Sequence, residues 1–179
     1  MRISPLAIIL PASLVPAASL HAAEYLTVPL AQKDLFPDAD RFVDAKVQLT
    51  DSQRDEIKKL SGVRQREAEQ PVWRAEKQGQ LLGWFIVDEV VGKHEFITYA
   101  TAIAPSGQVF GVDILIYRET YGYQVREPAW RGQFKGKKLA DHFKLDDDIT
   151  NITGATLSSR NVANGVKRLL ALTQVALKP

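Results

Sequence analysis

Residues Thr153-Gly154-Ala155-Thr156-Leu157-Ser158-Ser159 place four hydroxyl side chains, one glycine and one alanine within seven positions. Directly after them, apolar residues fall at Val162, Val166, Leu169 and Leu170, the i, i+4, i+7, i+8 stripe of a half-buried helix. Arg160, Asn161, Asn164, Lys167 and Arg168 take the opposite face. A small-residue, hydroxyl-bearing loop therefore meets a helix N-terminus, where free amides and the positive end of the dipole suit a phosphate group. Gly154 tolerates a left-handed backbone, and Ala155 keeps the surface open to a close ligand. The plainer reading is that Ser158 or Ser159 merely caps the helix.

Other chemistry-bearing residues are sparse. Lys93-His94-Glu95 lies between two strand patterns. A cation there would stabilise a neighbouring anionic group, and the competing reading is a solvated turn. Position 98 is Thr, so His94-Glu95 does not begin a zinc-protease motif. His142 adjoins acidic residues and reads as surface. No catalytic residue and no metal ligand set stands out.

The elements that must position the loop follow from periodicity. Thr50-Asp51-Ser52-Gln53 is a capping box, and its helix should run through Leu60 and stop near Gly62. From Val72 the period becomes two. One strand pair, Val72–Glu76 and Leu81–Val91, flanks Gln78-Gly79-Gln80; a second, Phe96–Ala104 and Gln108–Tyr117, is joined through Pro105-Ser106-Gly107. In the last strand Val112, Ile114 and Ile116 alternate with Asp113, Leu115 and Tyr117. Short helices are expected around Pro128–Phe134 and Lys138–Phe143, and a long one over Ser159–Leu177. The expected class is α+β: an antiparallel sheet of about four strands in two hairpins, packed with helices including the long C-terminal one.

At 179 residues and 45% hydrophobic content, the chain suits one globular domain. A formal charge of only +2, with no basic patch interleaved with aromatics, argues against a nucleic-acid partner. The chain has no Cys, which excludes disulfides, thiolate metal sites and lipidation at Cys. Residues 1–22 read as a secretory signal: Arg2, an uncharged stretch from Ile3 to Leu20, then small residues before cleavage after Ala22 or Ala23. Pro5, Pro11 and Pro16 make the alternative, an uncleaved membrane anchor, a poor span. The expected organisation is a signal peptide over 1–22, a helical segment over 23–70 and a ligand-binding domain over 71–179, in a periplasmic protein.

Three ordered segments carry a family resemblance. Thr153-Gly154-Ala155-Thr156-Leu157-Ser158-Ser159 resembles the [Ser/Thr]-Gly-Ala-Thr-x-[Ser/Thr]-Ser motif of the FMN-binding domain family. That family includes flavin-bearing subunits of the sodium-pumping NADH:quinone oxidoreductase and of the Rnf electron-transport complex. Arg118-Glu119-Thr120-Tyr121-Gly122 is similar to its Glu-Thr-Pro-Gly segment, with Tyr121 in the Pro position, and Trp130 with Gln133–Lys137 is similar to its Trp-x-x-x-Phe-x-Gly-Lys segment. Thr150 stands where the family commonly has Asp, with Asp148 two residues upstream.

The resemblance implies FMN joined through its phosphate to the Thr156 hydroxyl by a flavin transferase using FAD. It also implies that Thr153, Gly154, Ala155, Leu157, Ser158 and Ser159 surround the phosphate. Glu119, Thr120, Tyr121 and Gly122 would line the ring or ribityl chain, and Tyr121, Tyr123 and Trp130 are the aromatics able to stack on the ring. The function so implied is exported electron transfer between a membrane-bound redox partner and a downstream acceptor. A small periplasmic flavoreductase and a flavin-free interaction domain are the alternatives.

Overall fold

The computed structural model describes residues 23–177; the leader expected over 1–22 lies outside the described residues. In chain order, β1 (Ala23–Glu24), α1 (Val28–Leu35), β2 (Arg41–Asp44), β3 (Val47–Gln48), α2 (Asp51–Ser61) and β4 (Glu69–Gln70) come first. Two hairpins follow, β5 (Val72–Lys77) with β6 (Gln80–Val91) and β7 (Phe96–Ile103) with β8 (Val109–Tyr117). A 3-10 turn over Tyr123–Arg126, α3 (Pro128–Arg131) and a second 3-10 turn over Gly132–Phe134 lead to α4 (Thr156–Ala176).

The hairpins form because alternating apolar residues reach two different cores. Trp84 and Ile86 of β6 face one, and Phe85 between them faces the other. Gln78 and Gly79 both have positive φ (51° and 78°), the turn conformation whose twist matches that of the flanking strands. All pairings in the main sheet are antiparallel, and its order is β1-β8-β7-β6-β5-β2. The fold is α+β, as the periodicity indicates. The four hairpin strands are extended to six because the 23–70 segment, read as helical, also supplies both edge strands.

Helices cover both faces. On one side α4 lies over β6 and β7 with α2 packed on it; on the other, α1 lies over β7 and β8. The capping box of α2 forms as expected: Gln53 N–H donates to Thr50 Oγ1 (3.2 Å), Thr50 N–H donates to Gln53 Oε1 (2.9 Å), and Gly62 ends the helix at φ 75°. Gly165 lets α4 press onto the sheet, since a Cβ there would lie 2.2 Å from the Tyr99 hydroxyl. That hydroxyl donates to Asp88, whose carboxylate also pairs with the buried Arg168 of α4. Arg168 donates in turn to Gln65, so one polar network joins α4, β6 and the segment before β4.

Two expectations are corrected. Residues Lys138–Phe143 form no helix: Lys138 bridges to Gln108, and Phe143 takes φ 56° because Asp148 accepts from the Phe143 and Lys144 amides (3.1 and 2.7 Å). The strict alternation of β8 also breaks. Thr98 pairs with Ile116 while Tyr99 pairs with Ile114, which leaves Leu115 as the extra residue of a bulge. Ile116 consequently joins the α1 side, and Tyr117 turns to the α4 side.

Candidate functional site

The α4 helix begins at Thr156, three residues before the expected Ser159. Neither Ser158 nor Ser159 caps it. Ala155 occupies the cap position at φ −132°, and no side chain caps the helix. Ser159 is the first residue whose amide closes on the Ala155 carbonyl (3.0 Å), which leaves the amides of Thr156, Leu157 and Ser158 ahead of the helical ladder. Gly154 sits at φ 83° with nothing within 4 Å of a Cβ placed there. Thr153 and Gly154 are exposed, Thr156 is half-buried and Ala155 is buried.

The serine hydroxyls turn inward. Ser159 Oγ donates to the Ala155 carbonyl (3.2 Å), and Ser158 Oγ donates to the Tyr117 hydroxyl oxygen at 3.4 Å, since the Tyr117 proton goes to the Tyr121 carbonyl. Both serines are buried. Hydroxyl chemistry at the loop surface is therefore left to Thr156 and Thr153.

The second segment docks directly against this loop. Gly122, at φ 85°, lies so close that an added Cβ would meet the Ala155 Cβ at 2.1 Å and the Tyr117 hydroxyl at 2.7 Å. Tyr117, turned by the β8 bulge, donates its hydroxyl to the Tyr121 carbonyl and so fixes the approach. Burial raises the Tyr117 hydroxyl pKa, against the lowering effect of its bond to Ser158, which keeps it a donor at neutral pH. Thr120 is exposed, and the Tyr121 side chain is 76% exposed beside the loop, free to meet a ligand ring. Tyr123 is also exposed, with the Arg126 guanidinium 6.0 Å from its ring and 3.7 Å from that of Tyr25.

Glu119 reaches the turn between β6 and β7. Its Oε1 accepts from the amides of Lys93, His94 (2.6 Å) and Glu95 (3.0 Å). Burial pushes its pKa up, but the three amide donors outweigh that effect and hold it below the usual carboxylate value.

Trp130 does not stack on a surface ligand. It is 5% exposed, packs edge-to-face on Phe134 at 5.2 Å and donates its indole N–H to the Thr150 carbonyl (2.8 Å). Gln133 Oε1 accepts from the Thr150 amide (2.7 Å), so the third segment braces the chain leading into the loop. Lys137 pairs with Asp148 (2.8 Å) and, with the two amides described above, holds that carboxylate at a pKa of about 2 despite its burial.

Two contributors escape a reading of the sequence alone. Tyr117 needs the bulge to reach the site, and strand alternation assigns it to the wrong face. Arg131 donates to the carbonyls of Arg126 (2.8 Å) and Val112 (2.9 Å) and pairs with buried Asp113, tying the Tyr123–Arg126 turn to β8. Only its place just after Trp130 hints at such a role.

Similarity to known proteins points to the same ligand class as this geometry. Residues 92–171 match the FMN-binding domain family. The matched stretch starts at Gly92, at the turn gripped by Glu119, and ends inside α4. It contains all three segments that carry the resemblance. No curated protein matches the chain. Among solved structures, NqrC from Shewanella oneidensis is similar at 18% identity, covering 84% of this chain and 77% of its own, with a TM-score of 0.50. A subunit of the Na(+)-translocating NADH-quinone reductase from Parabacteroides distasonis follows at 15% identity, 74% and 77% coverage and a TM-score of 0.49. The first of these supports the fold.

The loop fits the phosphate end of FMN. Three amides open a 21-residue helix with no side-chain cap, Gly154 leaves open space, and the half-buried Thr156 hydroxyl stands at the first helical position. The exposed Tyr121 offers a ring face on the adjoining segment.

Proposed function

We propose that this chain is an electron-transfer protein carrying FMN esterified through its phosphate to Thr156. The supporting observation is the position of that threonine: first residue of an uncapped helix, with the Thr156, Leu157 and Ser158 amides available to the phosphate oxygens. FMN supplies the redox chemistry; the protein sets its location and solvent access. In the maturation step, the Thr156 oxygen attacks the FMN-side phosphorus of FAD. A P–O bond forms, the pyrophosphate bond breaks, AMP leaves, and the hydroxyl proton passes to solvent or to a base of the flavin transferase.

An ester retains the flavin where a dissociated cofactor would be lost to the surroundings. That suits the export proposed from residues 1–22. The proposed electron route runs from a membrane-bound reductase to a downstream acceptor, with Tyr121 beside the exposed ring. Intact-mass measurement of protein co-produced with a flavin transferase should show one added FMN phosphoryl unit. Thr156→Ala should abolish it and Thr156→Ser should retain it. A wild-type mass without the adduct in that setting would overturn the proposal.

A further inference from the structure

We propose that Glu119 is a positioning residue, tying the Gly92–Glu95 turn to the Arg118–Gly122 segment and so holding Tyr121 and Gly122 at the flavin loop; this rests on the FMN reading above. The Lys93, His94 and Glu95 amides converge on one carboxylate oxygen, a concave nest of backbone donors filled by a side chain from 24 to 26 residues away. Gly92 closes the same turn through its amide, which donates to the Glu95 carbonyl (2.7 Å). A Cβ at Gly92 would lie 2.4 Å from Glu119 Oε1, so an alanine there has to displace the carboxylate from the nest.

The contacts around this carboxylate form a closed circuit. Glu119 fixes the residues leading to Gly122, and Gly122 abuts Ala155 at the start of α4. One turn further along α4, Asn161 Nδ2 donates to the Val91 carbonyl (2.6 Å), returning to the turn that Glu119 grips. Breaking the circuit at Glu119 frees both the turn and the segment that carries Tyr121. A carboxylate facing a phosphate directly would repel it, whereas here the charge is spent on amides.

The test uses Glu119→Ala, Glu119→Gln and Gly92→Ala, with Ile57→Val in the distant α2–α4 core as a destabilised control. In protein without flavin, hydrogen exchange is read at residues 93–95 and at the bonded amides of Ala155 and Ser159. Glu119→Ala and Gly92→Ala should speed exchange at both stretches about tenfold or more, the scale of losing charge-assisted hydrogen bonds. Glu119→Gln, which keeps an oxygen acceptor, should fall between. In flavin-bearing protein, the visible circular dichroism of the flavin should change in the same order and stay unchanged in Ile57→Val. Faster exchange confined to 93–95, with a wild-type flavin spectrum, would overturn the positioning role. So would an equal spectral change in Ile57→Val. If wild-type protein takes up no FMN, the functional proposal fails by itself, and exchange at Ala155 and Ser159 still decides this one.

Discussion

Replacing Gly122 with Ala tests the contact between the two site segments, and Gly154→Ala supplies an internal reference. Both glycines hold left-handed backbone, at φ 85° and 83°. An alanine in that region costs roughly 1–2 kcal/mol at either position. The surroundings differ: the new Cβ at 154 meets nothing within 4 Å, whereas at 122 it lies 2.1 Å from the Ala155 Cβ and 2.7 Å from the Tyr117 hydroxyl. Overpacking of that kind adds about 1–3 kcal/mol, because backbone or loop must shift to relieve it. Gly122→Ala should therefore be less stable than Gly154→Ala by about 2 kcal/mol, or about 4–8 °C in Tm for a chain of this size. Thermal and urea unfolding measure the gap. The loop shift should also lower the fraction of protein bearing the FMN mass adduct. Equal Tm values for the two variants would refute the claim that Gly122 is selected by its approach to Ala155.

Tyr117→Phe removes the hydroxyl bonds to Tyr121 and Ser158 and should cost about 0.5–1.5 kcal/mol in urea unfolding, with lower anisotropy of bound flavin fluorescence. Breaking the buried pair by Arg168→Met or Asp88→Leu alone should cost about 3–5 kcal/mol. The double variant should be far less damaged than the sum, which a double-mutant cycle checks. Asp148 is held at a pKa of about 2, below its unfolded value, so its contribution is present above about pH 4 and lost as pH falls toward 2. Asp148→Asn should cost about 1 kcal/mol of stability at pH 7 given solvent screening, read as a lower Tm, and the difference from wild type should disappear as pH falls through 2.

Much of this protein was legible from local pattern, because local pattern is set by local physics. The capping box starts α2 at Thr50 through bonds three residues apart, and Gly62 stops it. The two hairpins follow from alternating apolar residues around turn formers. Residue types before α4 left two readings open, a phosphate loop and a serine cap, and the packed structure removes the cap. The rest depended on partners far apart in the chain. Leu115 becomes a bulge only through its pairing with β7, and that bulge decides which face Tyr117 meets. Glu119 reads as a ligand from its motif, yet the Lys93–Glu95 amides claim its carboxylate. Trp130 reads as a stacking surface, yet Phe134 and the Thr150 carbonyl draw it into the core. The start of α4 also moved from Ser159 to Thr156, because the serine hydroxyls found partners in Tyr117 and Ala155 instead of serving as caps. Periodicity and turn chemistry act over a few residues and so can be read along the chain. The direction a site residue faces is settled by which distant donor or apolar surface reaches it first, and only the packed structure decides that.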